Sequence, residues 1–353
     1  VGKEAQLNKS LGLFCAAVAA TDLLPPSMKN NLLSSSGGQQ QSHGQFEPAR
    51  LTLSLMRKEC HNMDVNHFDS DEVVKSLNIL RKHLGQDADV PSIPTQSPEF
   101  APKVLCSSLL CQNLGMGRLL IQCLNNVDEQ MNQIACSVAM RWLEQSEDGM
   151  ARREFVECGG VESLYSLMCD YVAPSRAAAL RVLCHLASND YQEVHGNSAI
   201  HRRMSGVGVF KKVSDELRLW ASDDISACDP QVTEACCMLV ASAARKEPVL
   251  RAELVNQGTA AALCLVLLKG NSTEKTIIAA ALAGLANLAI GCPSAQEVIR
   301  SSGTIAWAVK LLDTALPPLL PLILLMLSNS LDGCSVNQDD FGACGGCDAL
   351  TRV

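Results

Sequence analysis

An all-α solenoid is the fold class this sequence predicts, and three observations predict it. Glycines at 117, 160, 208, 258, 303 and 346 recur at intervals of 43, 48, 50, 45 and 43 residues, a period that belongs to stacked helical repeats. Between successive glycines runs a long segment rich in Ala and Leu at helical spacing. Aromatic residues are scarce, with 3 Trp, 3 Tyr and 7 Phe in 353 residues, which suits close helix packing better than an aromatic-rich β-sandwich.

Composition bounds the rest. Hydrophobic residues make up 47% and charged residues 19%, which excludes wholesale disorder, and the length suffices for an extended array with a sizeable core. The net charge of -8, from 29 basic and 37 acidic residues, argues against nucleic acid as the main partner. Seventeen cysteines are present. Their number is odd, and Cys136, Cys184, Cys236, Cys237 and Cys264 sit inside apolar helical runs, so they read as reduced thiols used as small core residues in a cytoplasmic protein.

Residues 1–68 read as an irregular, partly helical N-terminal section. Residues 9–20 imitate a signal peptide, but Glu4 and a polar lead-in spoil the charged start, and a buried helix explains the same residues. A low-complexity linker follows at 34–45, and a helix is expected over 47–63. Residues 69–85 predict a helix, from an Asp/Ser cap and Val73, Val74, Leu77, Leu80 and Leu84 at helical spacing. Pro91, Pro94, Pro98 and Pro102 make 86–102 a linker.

The repeat domain spans 103–353, with its last unit incomplete. One shape returns in Arg153–Met168, in Arg251–Val266 and in Gln296–Leu311: a short apolar helix, a glycine, then a second apolar helix. A third, longer helix is expected over Val127–Leu143, Pro174–Ala187, Pro230–Ala244 and Ser272–Ile290. Asp229-Pro230 supplies a side-chain cap followed by proline in the first turn. The wide intervals hold a polar insertion, Asn189–Asn197, and an acidic loop, Ser222–Asp229. In Leu316–Leu331, Pro317 and Pro318 fit a first helical turn, and Leu322–Leu327 is apolar all round. That helix wants a cover, from further chain or from a partner.

The glycine-linked pair around Cys158-Gly159-Gly160 and the Ala-Ala-Leu-Ala-Gly-Leu-Ala-Asn-Leu-Ala core of residues 280–289 resemble the armadillo repeat family. That resemblance implies a right-handed superhelix of three-helix units whose third helices line a concave groove, and a non-enzymatic scaffold that holds a protein partner along it. In import receptors of that family, a groove Trp is followed four residues later by an Asn that clamps a peptide backbone. Aligning the third helices puts the Asn position at Arg141, His185, Ala241, Asn287 and Asn329, and the Trp position at Ser137, Arg181, Cys237, Ala283 and Leu325. Only Asn287 and Asn329 fit, so a receptor for basic signals is not expected. Arg141, Arg181 and His185 on the inner wall point instead to an acidic or extended partner segment. Arg152-Arg153, Arg202-Arg203 and Lys211-Lys212 are expected on solvated faces away from the groove.

Motifs that carry reaction chemistry are incomplete. The carboxylates of Asp64–Glu72 lack the glycine and terminal acid of a calcium loop. Gly270–Thr276 lacks the second glycine of a phosphate loop, and Gly206-Val-Gly208 is a fragment of a dinucleotide fingerprint. Cys344 and Cys347 form a lone Cys-x-x-Cys, two ligands where structural zinc takes four. No cofactor is therefore expected, nor membrane insertion, and the chain reads as part of a complex. Besides groove binding, two further roles suit such a scaffold: a structural subunit of a large eukaryotic assembly, ciliary or cytoskeletal, and a co-chaperone.

Overall fold

A computed structural model describes residues 73–79, 115–145, 149–170, 173–188, 196–221, 229–245, 247–269, 275–312 and 318–352. The segments 9–20, 34–45, 47–63 and 86–102 lie outside them. The described residues form helices and no strand. The chain divides into two compact units, Val1–Ser163 and Leu164–Val353.

The first unit holds a helical segment at residues 73–79 (α1), in which Val73 and Leu77 are buried. It continues with α2 (Met116–Leu124), α3 (Glu129–Gln145), α4 (Met150–Glu157) and the start of α5 (Gly160–Asp170). Asp128 caps α3, its Oδ1 accepting from the N–H groups of Gln130 and Met131. The helix therefore starts at Glu129, and Val127, expected at its head, is 91% exposed. Trp142 and Phe155 fill the interior, and Glu154 reaches from α4 to accept the Gly117 N–H of α2 at 2.9 Å.

The second unit contains α6 (Ala173–Ala187), α7 (Gly196–Val207), α8 (Val209–Ala221), α9 (Pro230–Ala244), α10 (Pro248–Asn256) and α11 (Thr259–Lys269). It continues with α12 (Lys275–Ala289), α13 (Pro293–Ser301), α14 (Thr304–Leu312), α15 (Leu320–Leu331), α16 (Ser335–Ala343) and α17 (Gly346–Arg352). Each repeat is a triplet, and each helix packs on its counterpart in the next repeat. The third helices α6, α9, α12 and α15 form one row, the second helices α8, α11, α14 and α17 another, and the first helices α10, α13 and α16 a third. Each unit of the array thus completes its neighbour's core. The expected cap of α9 is present: Asp229 Oδ1 accepts from Gln231 and Val232, with Pro230 in the first turn. The helix after the proline cluster starts at Leu320, past Pro318, with Pro321 in its first turn.

The turn between first and second helices depends on glycine. Gly258 has φ +80°, a left-handed conformation that costs a side chain roughly 1–2 kcal/mol. Its N–H bonds back to Val255 O while its own carbonyl accepts the Ala262 N–H, so one residue ends α10 and starts α11. Gly159, Gly208, Gly303 and Gly345 repeat the geometry. Where the sequence offers two glycines, the structure corrects the expected anchor: Gly159 and Gly345 make the turns, and Gly160 and Gly346 are already helical.

Those second glycines have another cause. A Cβ on Gly160 would stand 2.7 Å from Phe155 O and closer still to the Phe155 ring, and one on Gly346 would stand 2.5 Å from Phe341 Cδ2. In both repeats a first-helix phenylalanine occupies the volume that the missing Cβ leaves. The other three repeats place Met204, Leu254 and Ile299 at the phenylalanine position, and Val209, Thr259 and Thr304 follow the turn glycine. A large ring is matched with no Cβ, and a smaller chain with a full residue.

A second repeated device closes the joint between units. The last carbonyls of a helix have no partner within it, and a polar side chain from the next first helix supplies one. Arg251 Nη1 donates to Ala244 O at 3.2 Å, and His201 Nε2 lies 3.1 Å from Ala187 O. Gln296 Nε2 faces Ala289 O, Asn329 O and Asp332 O at 3.4, 3.0 and 2.9 Å. Asn337 Nδ2 donates to Ser330 O at 2.7 Å. The expectation that Arg152 is a solvated charge is corrected here: it is 4% exposed, seven residues before its turn glycine, as His201, Arg251 and Gln296 are before theirs.

Only His201 in this series titrates near neutral pH. A carbonyl can only accept, so Nε2 carries the proton, and burial holds the ring below the ordinary histidine value, against weaker pulls from Ala187 O and the Glu247 carboxylate. Below about pH 6.5 the unfolded chain takes up a proton that the folded chain does not, so stability falls with acid. His201→Gln, the donor that Gln296 uses, is expected to remove this part. Thermal melts of the two proteins from pH 7.5 to 5.0 check it: the wild type loses stability more steeply, by up to about 1.4 kcal/mol per pH unit.

Candidate functional site: the third-helix face

The third helices bury one side against the second helices and leave the other partly open. Hydrogen bonds fix the register between neighbours in this row. Asn287 Nδ2 on α12 donates to Ala241 O on α9 at 2.8 Å, and Asn329 Nδ2 on α15 donates to Ala286 O on α12 at 2.9 Å. Ala241 and Ala286 are therefore equivalent, and so are Ser242 and Asn287, one residue on. One turn earlier, Met238, Ala283 and Leu325 form a second line across α9, α12 and α15.

This register corrects the alignment expected from sequence by one residue in α9. Cys237, expected on the groove, is fully buried, and Met238 is 43% exposed. The open position beside Asn287 is Ser242, with Ala241 supplying the carbonyl. In α6, Arg181 and His185 are half-buried. Arg181 makes no hydrogen bond or ion pair with the described residues. Arg141, in the first unit, is exposed on α3.

The two asparagines thus join adjacent helices as well as lying on the open face. A carbonyl fixes the nitrogen end of each amide, leaving Oδ1 without a donor among the described residues. Charge along the face changes in chain order. Arg181 and His185 stand on α6 and Glu234 on α9, whereas Ala279, Ala283 and Asn287 on α12 and Leu325 and Asn329 on α15 are uncharged. Behind the face, Cys184 Sγ approaches Ala235 O at 3.6 Å, and burial pushes its thiol up to about 12. It is a core residue, with no thiolate to offer. Among the described residues no His, Cys, Asp and Glu groups gather into a metal-ligand set.

No family model and no curated protein matches the chain. Solved structures match it. An engineered protein from the Northeast Structural Genomics Consortium superposes with a TM-score of 0.62 at 18% identity, over 79% of this chain and 99% of its own. A designed armadillo repeat protein gives 0.58 at 17%, over 78% and 99%. A further designed armadillo repeat protein, in complex with the peptide (KR)4, gives 0.59 at 16%, over 78% and 99%. At these identities the likeness defines the fold. With the three rows of helices, it makes this chain an all-α repeat solenoid. The solenoid is of the armadillo type.

Proposed function

We propose that this chain is a non-enzymatic scaffold that holds an extended, acidic segment of a protein partner on its third-helix face. The observation that carries the reading is Arg181, a half-buried residue on that face whose guanidinium makes no ion pair with the described residues. A buried or half-buried cation is stabilised by an anion, and a partner's Asp or Glu side chain would supply it. His185 stands one turn on along the same helix. The armadillo-type neighbour solved with (KR)4 supports a peptide as the class of ligand for this architecture. Arg181 favours the opposite sign.

Fluorescence anisotropy with two labelled probes tests it, an eight-residue Asp/Glu-rich peptide and (KR)4. The acidic peptide is expected to bind, with affinity falling as salt rises. Arg181→Glu is expected to weaken it roughly fivefold. Preference for (KR)4, or an acidic peptide indifferent to Arg181→Glu, would sink the reading.

A further inference from the structure

The charged part of the face ends at α9, and the uncharged part beyond it has a shape of its own. Ala283 lies between Met238 and Leu325 in one line across three packed helices. The flanking side chains are 43% and 45% exposed, and Ala283 itself is half-buried. Packed helices stand about 8–10 Å apart, so a methyl between two longer side chains leaves a recess with apolar walls. Ala279, one turn before Ala283, is equally short. Asn287 and Asn329 border the recess one turn on, each with its amide nitrogen held by the neighbouring helix and its Oδ1 left to accept.

We infer that this recess takes an apolar side chain of the same extended segment whose acidic residue meets Arg181. The inference rests on the proposed function and adds the second half of the specificity. The occupant is a peptide strand because the recess is bordered by acceptors at successive repeats. An extended chain offers backbone N–H groups at regular intervals, and side chains alternate along it, so one points into the recess while N–H groups meet an amide oxygen. A carboxylate over Ala283 would lose water without gaining a partner. A Leu- or Phe-sized one would cover Met238 and Leu325.

Selection of a random eight-residue peptide library on the full chain, followed by anisotropy on the enriched peptides, tests this. The expected peptides carry an acidic and an apolar residue at a constant separation. Ala283→Arg fills the recess and is expected to weaken them about tenfold, as does changing the peptide's apolar residue to Ser. Arg is a good helix former at a half-exposed position, and Leu325→Ser, which removes the apolar wall without adding charge, serves as a second variant should Ala283→Arg lower the melting temperature. Acidic peptides with no apolar preference, or with affinity unmoved by both variants, would overturn this inference and leave the acidic reading standing. Enrichment of basic peptides, or of none, would overturn both.

Discussion

Replacing Gly160 by Ala is expected to destabilise the first unit by about 3 kcal/mol, at the upper end of what overpacking costs. The added methyl would meet both the Phe155 ring and the Phe155 carbonyl oxygen, at 2.7 Å for the oxygen. Phe155 is fully buried, so its ring has no free side to turn toward. The repeats themselves point to the remedy, since Leu254 precedes Thr259 at the same two positions. Phe155→Leu alone should cost about 1 kcal/mol for the cavity. In the Gly160→Ala background the same change is expected to restore stability, and a double-mutant cycle by urea denaturation reads the coupling. Additive losses would show that the ring and the glycine are not matched.

Gln296→Leu is expected to cost about 1–2 kcal/mol, from hydrogen bonds lost between a buried donor and carbonyls at the joint. One amide nitrogen serves three carbonyls, those of Ala289, Asn329 and Asp332, and leucine keeps the volume while removing the donor. Gln296 is 4% exposed, so water has little access to replace it. In a repeat array the loss stays with nearest neighbours. Amides of α13 and α15 are therefore expected to exchange faster in deuterium, with those of α6 and α9 unchanged. Uniform acceleration would mean that the second unit opens as one body.

How far these features are legible in the sequence differs by kind. Gly208, Gly258 and Gly303 carry the period because φ near +80° excludes nearly everything else, whereas Gly117 lies inside α2. Even so, Gly159-Gly160 and Gly345-Gly346 hide which member turns the chain. The pairing of Phe with the second glycine, set against Met204, Leu254 and Ile299 with a larger residue, stands in the letters, but it acquires meaning only when the two helices are seen to touch. Arg152 looked like half of a solvated basic pair, and no local signal distinguishes it. Its burial matches that of His201, Arg251 and Gln296, which sit at the same distance before their turn glycines.

The candidate site shows the same division. Asn287 and Asn329 could be picked out by alignment. The line of Met238, Ala283 and Leu325 could not, because in Ala-Cys-Cys-Met-Leu-Val-Ala-Ser a shift of one residue leaves an equally apolar helix. By itself the sequence determined the class: helical triplets, their period and their caps. Only the tertiary structure decided which residues reach the open face. An α-helix turns about 100° per residue, so one hydrogen bond between neighbours, Asn287 to Ala241, moves Cys237 into the core and brings Met238 out.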